Sequence, residues 1–96
     1  MISIKCDSID RLFEVMLKLE NVEECYKFFE DLCTVKEIKD MAQRFDAAVM
    51  LNDGIKYQEV SDKIGISSAT ISRVSKCLNY SDGYKLAIEK LKKEDK

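Results

Sequence analysis

Proline is absent from this 96-residue chain, and glycine occurs only three times, as Gly54, Gly65 and Gly83. Those two residues are the strongest helix breakers, so the chain has few points at which a helix is forced to stop. Elsewhere apolar residues recur at intervals of three and four, the period of a helix with one buried face. The expectation is an all-α fold of about six helices.

The first helix is expected from about Ser8 to Leu19, capped by Asp7 or Ser8, with Ile9, Leu12, Phe13, Met16 and Leu17 along one side. A second begins after Asn21, whose spacing to Glu24 resembles a capping box. Its face is Val22, Cys25, Phe29, Leu32 and Cys33, broadened by Tyr26 and Phe28. A third starts at Thr34, with Glu37 completing a capping box, and runs to about Leu51. Val35, Ile38, Met41, Ala42, Phe45, Ala48 and Val49 form its buried side. Asn52-Asp53-Gly54 stops it, because asparagine and glycine accept the left-handed conformation. Two shorter helices follow, from about Tyr57 to Lys63 and from about Ser68 to Leu78. The last runs from about Asp82 to Lys93 with Tyr84, Leu86, Ala87, Ile88 and Leu91, ahead of a tail, Lys92 to Lys96, expected to fray. The apolar faces of the first two helices are wider than one partner helix requires. They suit either a subunit interface or the core of a single chain.

Composition excludes several classes. No apolar run approaches the length of a membrane span, and the first residues lack the hydrophobic segment of a signal peptide, so a cytoplasmic protein is expected. Cys6, Cys25, Cys33 and Cys77 include no CxxC pair, and no histidine is present to complete a zinc site. Neither a metal nor a cofactor is expected. The thiols are expected to be reduced and mostly buried, with Cys77 the one candidate for redox sensing. With no histidine, nucleophile motif or phosphate loop, nothing assembles an active site. The net charge of −2 gives no global basic field. Locally, however, the stretch from Lys63 to Tyr80 carries Lys63, Arg73 and Lys76 and no acid, whereas Glu20, Glu23, Glu24, Glu30 and Asp31 cluster elsewhere.

That acid-free stretch carries the most informative pattern. A helix-turn-helix counted from Tyr57 needs an apolar residue at the fourth position, a small one at the fifth and glycine at the ninth. It also needs apolar residues at the eighth, tenth, fifteenth and eighteenth. Val60, Ser61, Gly65, Ile64, Ile66, Ile71 and Val74 occupy those places. The small residue lets the second helix cross closely, the glycine takes positive φ, and the apolar residues lock the crossing angle. Ser67 is placed to cap the second helix. Ser67, Ser68, Ala69, Thr70, Ser72, Arg73 and Lys76 face away from the core or border it. Short hydroxyls, helix N-terminal amides and two cations suit phosphate oxygens and a major groove, with Gln58 on the preceding helix near the backbone. Double-stranded operator DNA is therefore the expected partner. A protein-interaction adaptor on the same scaffold is the alternative, and RNA binding would show exposed aromatics for stacking, for which Tyr57, Tyr80 and Tyr84 are the candidates.

The stretch Gly65-Ile66-Ser67-Ser68-Ala69-Thr70-Ile71-Ser72-Arg73 resembles the reading head of the tryptophan repressor family. The segments Phe28 to Thr34, Gln43-Arg44-Phe45, Ala69 to Val74 and Leu78-Asn79-Tyr80 resemble its YerC/YecD-type subgroup. The resemblance implies an intertwined all-helical homodimer that binds operator DNA, usually to repress. Residues 1–51 would interlock, 57–78 would form the reading head, and 82–94 the C-terminal helix. By position it puts Gln58, Ser68, Ala69, Thr70 and Ser72 at operator contacts, and Arg44 and Arg73 around an L-tryptophan corepressor. This sequence departs from the family at that second site. Val74 replaces a glycine and Cys77 a serine, and valine fills space that an indole needs. Tryptophan is therefore not expected to bind; Arg44, Arg73 and Cys77 remain candidates for an effector pocket. Without a ligand to flank, Arg73 is free for a phosphate or a guanine edge, and Arg44 for a salt bridge with Asp46 or Glu59.

Overall fold

The computed structural model describes residues 3–94, with the side chain of Glu94 left aside. Six helices follow one another: α1 (Asp7–Lys18), α2 (Val22–Leu32), α3 (Val35–Asn52), α4 (Tyr57–Ile64), α5 (Ser68–Tyr80) and α6 (Gly83–Glu94). No strand occurs among the described residues. Two compact units are formed, one of residues up to Val35 and one from Lys36 onward. Nearly all of α3 belongs to the second unit. The reason is that α3 supplies Ala47 and Ala48 to that unit's core. Of the expected fraying tail, Lys92 and Lys93 are helical, while Asp95 and Lys96 lie outside the described residues.

In the first unit, α1 begins one residue earlier than the sequence suggests. Cys6 occupies the cap position without a side-chain hydrogen bond, so neither Asp7 nor Ser8 caps the helix. Asp7 and Asp10 instead lie in the first turn, where carboxylates favour the positive end of the helix dipole. Asn21 does cap α2, its Oδ1 accepting the Glu24 N–H at 2.9 Å. The return bond of a capping box is displaced by one residue, because the Glu24 Oε1 accepts from the Glu20 N–H at 2.9 Å. No residue of α1 or α2 is buried. Phe13 is 51%, Leu17 85%, Val22 71% and Tyr26 62% exposed, while Ile9, Leu12, Met16, Phe28 and Phe29 are half-buried, so these faces are only partly covered in the single chain. The same fact corrects the expectation of buried thiols. Cys6, at the cap of α1, and Cys25, on α2, are exposed, and Cys33 and Cys77 are only half-buried, since neither α1 nor α2 buries a residue.

The second unit holds the hydrophobic core: Ala47 and Ala48 from α3, Val60 from α4, Ile71, Val74 and Leu78 from α5, and Ile88 from α6. The first half of α3 departs from its stripe, since Val35, Met41 and Ala42 are exposed although they share the apolar face. Ile38 is half-buried, and the helix becomes buried only at Ala47 and Ala48, where α3 meets the core cluster flanked by Phe45 and Val49. The stop after α3 is a Schellman motif. The Ile55 N–H reaches the Met50 carbonyl at 3.1 Å, and the Gly54 N–H the Leu51 carbonyl at 3.0 Å, with Gly54 at φ +88°. Ile55 then packs on the core, and Lys92 of α6 pairs with Asp53 at 3.1 Å, joining the last helix to this turn. On the other side α5 packs between α4 and α6. No helix of the described residues is long and apolar enough to cross a membrane.

Candidate nucleic-acid interface

The site is assembled from the turn between α4 and α5. α4 ends at Gly65, which takes φ +79° and ψ +31° and donates its N–H to the Ser61 carbonyl at 2.8 Å. A Cβ built on Gly65 would meet no atom within 4 Å. The glycine is thus demanded by its backbone angle, not by crowding. Ser61 is small enough for α5 to approach, and its Oγ also donates to the Ile66 carbonyl at 3.1 Å, tying the turn to α4. Val60, Ile71 and Val74 are fully enclosed between the two helices, and Ile64 and Ile66 pack against them from the turn. All the residues that the helix-turn-helix count assigns to packing do pack, which fixes the edge that α5 presents outward.

That edge starts at Ser67. Its Oγ accepts the Thr70 N–H at 3.1 Å and lies 3.0 Å from the Thr70 hydroxyl. Ser67 is exposed and Thr70 half-buried, and both hydroxyls serve the helix start. Ser68, Ala69, Ser72, Arg73 and Lys76 are exposed along the same helix. α5, like α6, has no acidic residue in its first turn, whereas α1, α2, α3 and α4 each have at least one. No carboxylate therefore compensates the positive end of its dipole, and Arg73 and Lys76 follow further along the same helix, a combination that suits an anion such as phosphate. On α4, Gln58 is exposed and its Nε2 donates to Asp62 at 3.0 Å. Gln58 and Ser68 nevertheless meet at one shallow cleft of about 70 Å³, lined also by Tyr57, Ser61 and Ile71. Expected contacts from both helices thus share one face.

The three candidates for an effector pocket are not brought together in the same way. Cys77 lines an open cavity of about 450 Å³ with Phe45, Ser81, Gly83, Tyr84 and Ala87. Arg73 is exposed on the outer edge of α5 and Arg44 is half-buried on α3, and neither lines that cavity. Arg44 forms no ion pair with Asp46 or Glu59; Glu59 pairs with Lys63 at 3.5 Å. Val74 sits in the core at 1% exposure, so the volume after Arg73 is occupied by protein. Among the described residues no cluster of histidine, cysteine, aspartate or glutamate could hold a metal ion.

One residue of the site escapes sequence reasoning. Ser75 is the one polar residue that is buried among the described residues, at 8% exposure. It accepts hydrogen bonds from the Tyr57 hydroxyl and from the Asn79 Nδ2, the latter at 3.5 Å. A serine among other serines on a hydroxyl-rich helix carries no signal that it faces inward; only its register with Ile71 and Leu78 could have marked it.

Comparison with known proteins agrees with this geometry. The family model described as Trp repressor protein matches residues 7–92. The uncharacterized protein YerC of Bacillus subtilis is 47% identical over 88 residues, covering 91% of this chain and 85% of that protein. A TrpR-like protein from Eubacterium eligens superposes with a TM-score of 0.88 at 44% identity, covering 92% of each chain. A candidate Trp repressor from Staphylococcus aureus gives a TM-score of 0.88 at 41% identity, over 93% of this chain and 90% of that one. With six helices, a glycine turn between α4 and α5 and this family match over nearly its whole length, the chain belongs to the Trp repressor family.

Proposed function

We propose that this chain is a transcriptional regulator, acting as a repressor, that reads operator DNA as a homodimer through α4 and α5. The observation that carries the reading is the outer edge of α5. Ser68, Ala69, Ser72, Arg73 and Lys76 are exposed next to an acid-free helix N-terminus, while Val60, Ile71 and Val74 lock the angle behind them. Small side chains let a helix enter the major groove, and the amides and cations meet phosphates on either side. Ser67 and Thr70 build the helix start, and Gln58 approaches the backbone from α4. The exposed apolar residues of α1 and α2 favour a second copy as their cover, and family membership supports the same arrangement. Tryptophan is not the effector, since Val74 fills the volume its ring needs. The test is selection of genomic fragments on the immobilised chain, repeated with Ser72→Glu. Enrichment of discrete, roughly palindromic sites by the wild type and of none by the variant supports the proposal. Equal enrichment by both, or none by either, refutes it.

A further inference from the structure

The polar bond between Tyr57 and Ser75 has no part in the contacts just described, yet it joins the two helices of the reading head. α4 is only eight residues long and its cap residue, Lys56, makes no side-chain cap bond. Isolated helices of that length are unstable in water, so the position of α4 depends on what anchors its ends. The C-terminal end is anchored by Gly65 and by the Ser61 hydroxyl on the Ile66 carbonyl. At the N-terminal end the matching polar anchor is Tyr57, the first residue of α4, whose hydroxyl crosses to Ser75 in the middle of α5. Ser75 is buried and is held in turn by Asn79 one turn further along. The Tyr57 ring also lines the cleft where Gln58 and Ser68 meet.

We infer that the Tyr57–Ser75 hydrogen bond, supported by Asn79, is a positioning latch that holds the N-terminal end of α4 on α5, within the crossing angle that Val60, Ile71 and Val74 lock, and thereby fixes the placement of Gln58 beside the reading edge. This deepens the DNA-binding proposal and rests on it. The latch acts through geometry and not through phosphate, so its loss leaves the ionic contacts in place. A latch of this kind governs discrimination between sites more than attraction to any duplex.

The test uses the full chain with Tyr57→Phe, Ser75→Ala and both together. Binding is measured on a duplex enriched from genomic DNA by the wild type and on a duplex of unrelated sequence, across a salt series. The expected result is a loss of roughly three- to tenfold on the selected duplex, the size of one net hydrogen bond. Affinity for the unrelated duplex and the salt slope stay unchanged, the double variant is no weaker than either single one, and amides of α4 exchange faster in the free protein. Wild-type affinity in both single variants overturns the latch and leaves the DNA-binding reading intact. A loss confined to Tyr57→Phe, with a shallower salt slope, makes Tyr57 a phosphate contact and also overturns it. If the wild type enriches no duplex, the DNA-binding reading fails and the latch falls with it.

Discussion

At the scale of single residues, two kinds of position shape the α4–α5 pair: those fixed by a steric demand and those left free by it. Gly65 is of the first kind. An alanine there would hold an L side chain at φ +79° in open space, so Gly65→Ala should lower stability by about 1–2 kcal/mol, read by urea unfolding. A cost near zero would mean that the turn relaxes to another conformation. Arg73 is of the second kind, exposed beside the uncompensated start of α5. Arg73→Ala should weaken binding to a selected duplex by at least about tenfold while leaving the unfolding curve unchanged, the size of one lost base or phosphate contact. Normal gel shifts from that variant would remove Arg73 from the interface. Residues under a positional demand are the ones legible in the sequence: Val60, Gly65, Ile71 and Val74 each answer to one requirement of the motif. Ser75 answers to none. Its partner across the two helices, Tyr57, lies 18 positions away, and the pairing appears only once the helix angle is known. Ala47 is likewise invisible to a stripe reading, because a small side chain contributes little to an apolar period even where it is fully enclosed.

At the scale of elements, helix ends were more legible than helix faces. The stop at Asn52-Asp53-Gly54 and the cap at Ser67 follow from local backbone chemistry and occur where that chemistry demands. The start of α1 does not, because no side chain there competes effectively for the role and Cys6 takes it without a bond. Faces depend on what a helix packs against, so the apolar side of α3 is buried only in its second half. The cap at Ser67 makes a prediction at this scale. Ser67→Ala removes the acceptor for the Thr70 N–H and should cost about 1 kcal/mol, with the first turn of α5 losing its amide protection while the rest of α5 keeps it. Uniform protection along α5 in that variant would show that the cap is dispensable.

At the scale of the whole molecule, the sequence left open whether the broad faces of α1 and α2 were core or interface. In the single chain neither helix buries a residue, and Leu17 and Val22 stand largely in solvent. The proposed cover is a second copy, so the chain should sediment as a dimer at micromolar concentration, and Phe13→Asp with Leu17→Asp should yield monomers. A wild-type monomer at that concentration would contradict the dimer. Calorimetric titration with L-tryptophan should give no heat of binding, and micromolar affinity would overturn the role given to Val74. A contact made by helix amides and the cations Arg73 and Lys76 on phosphates is sensitive to salt. Fluorescence anisotropy of a genome-selected duplex should show the affinity of the wild-type chain falling by several orders of magnitude between about 50 and about 200 mM salt, as counterions are released from contacted phosphates. An affinity that stays level across that range would mean that the outer edge of α5 does not lie on DNA.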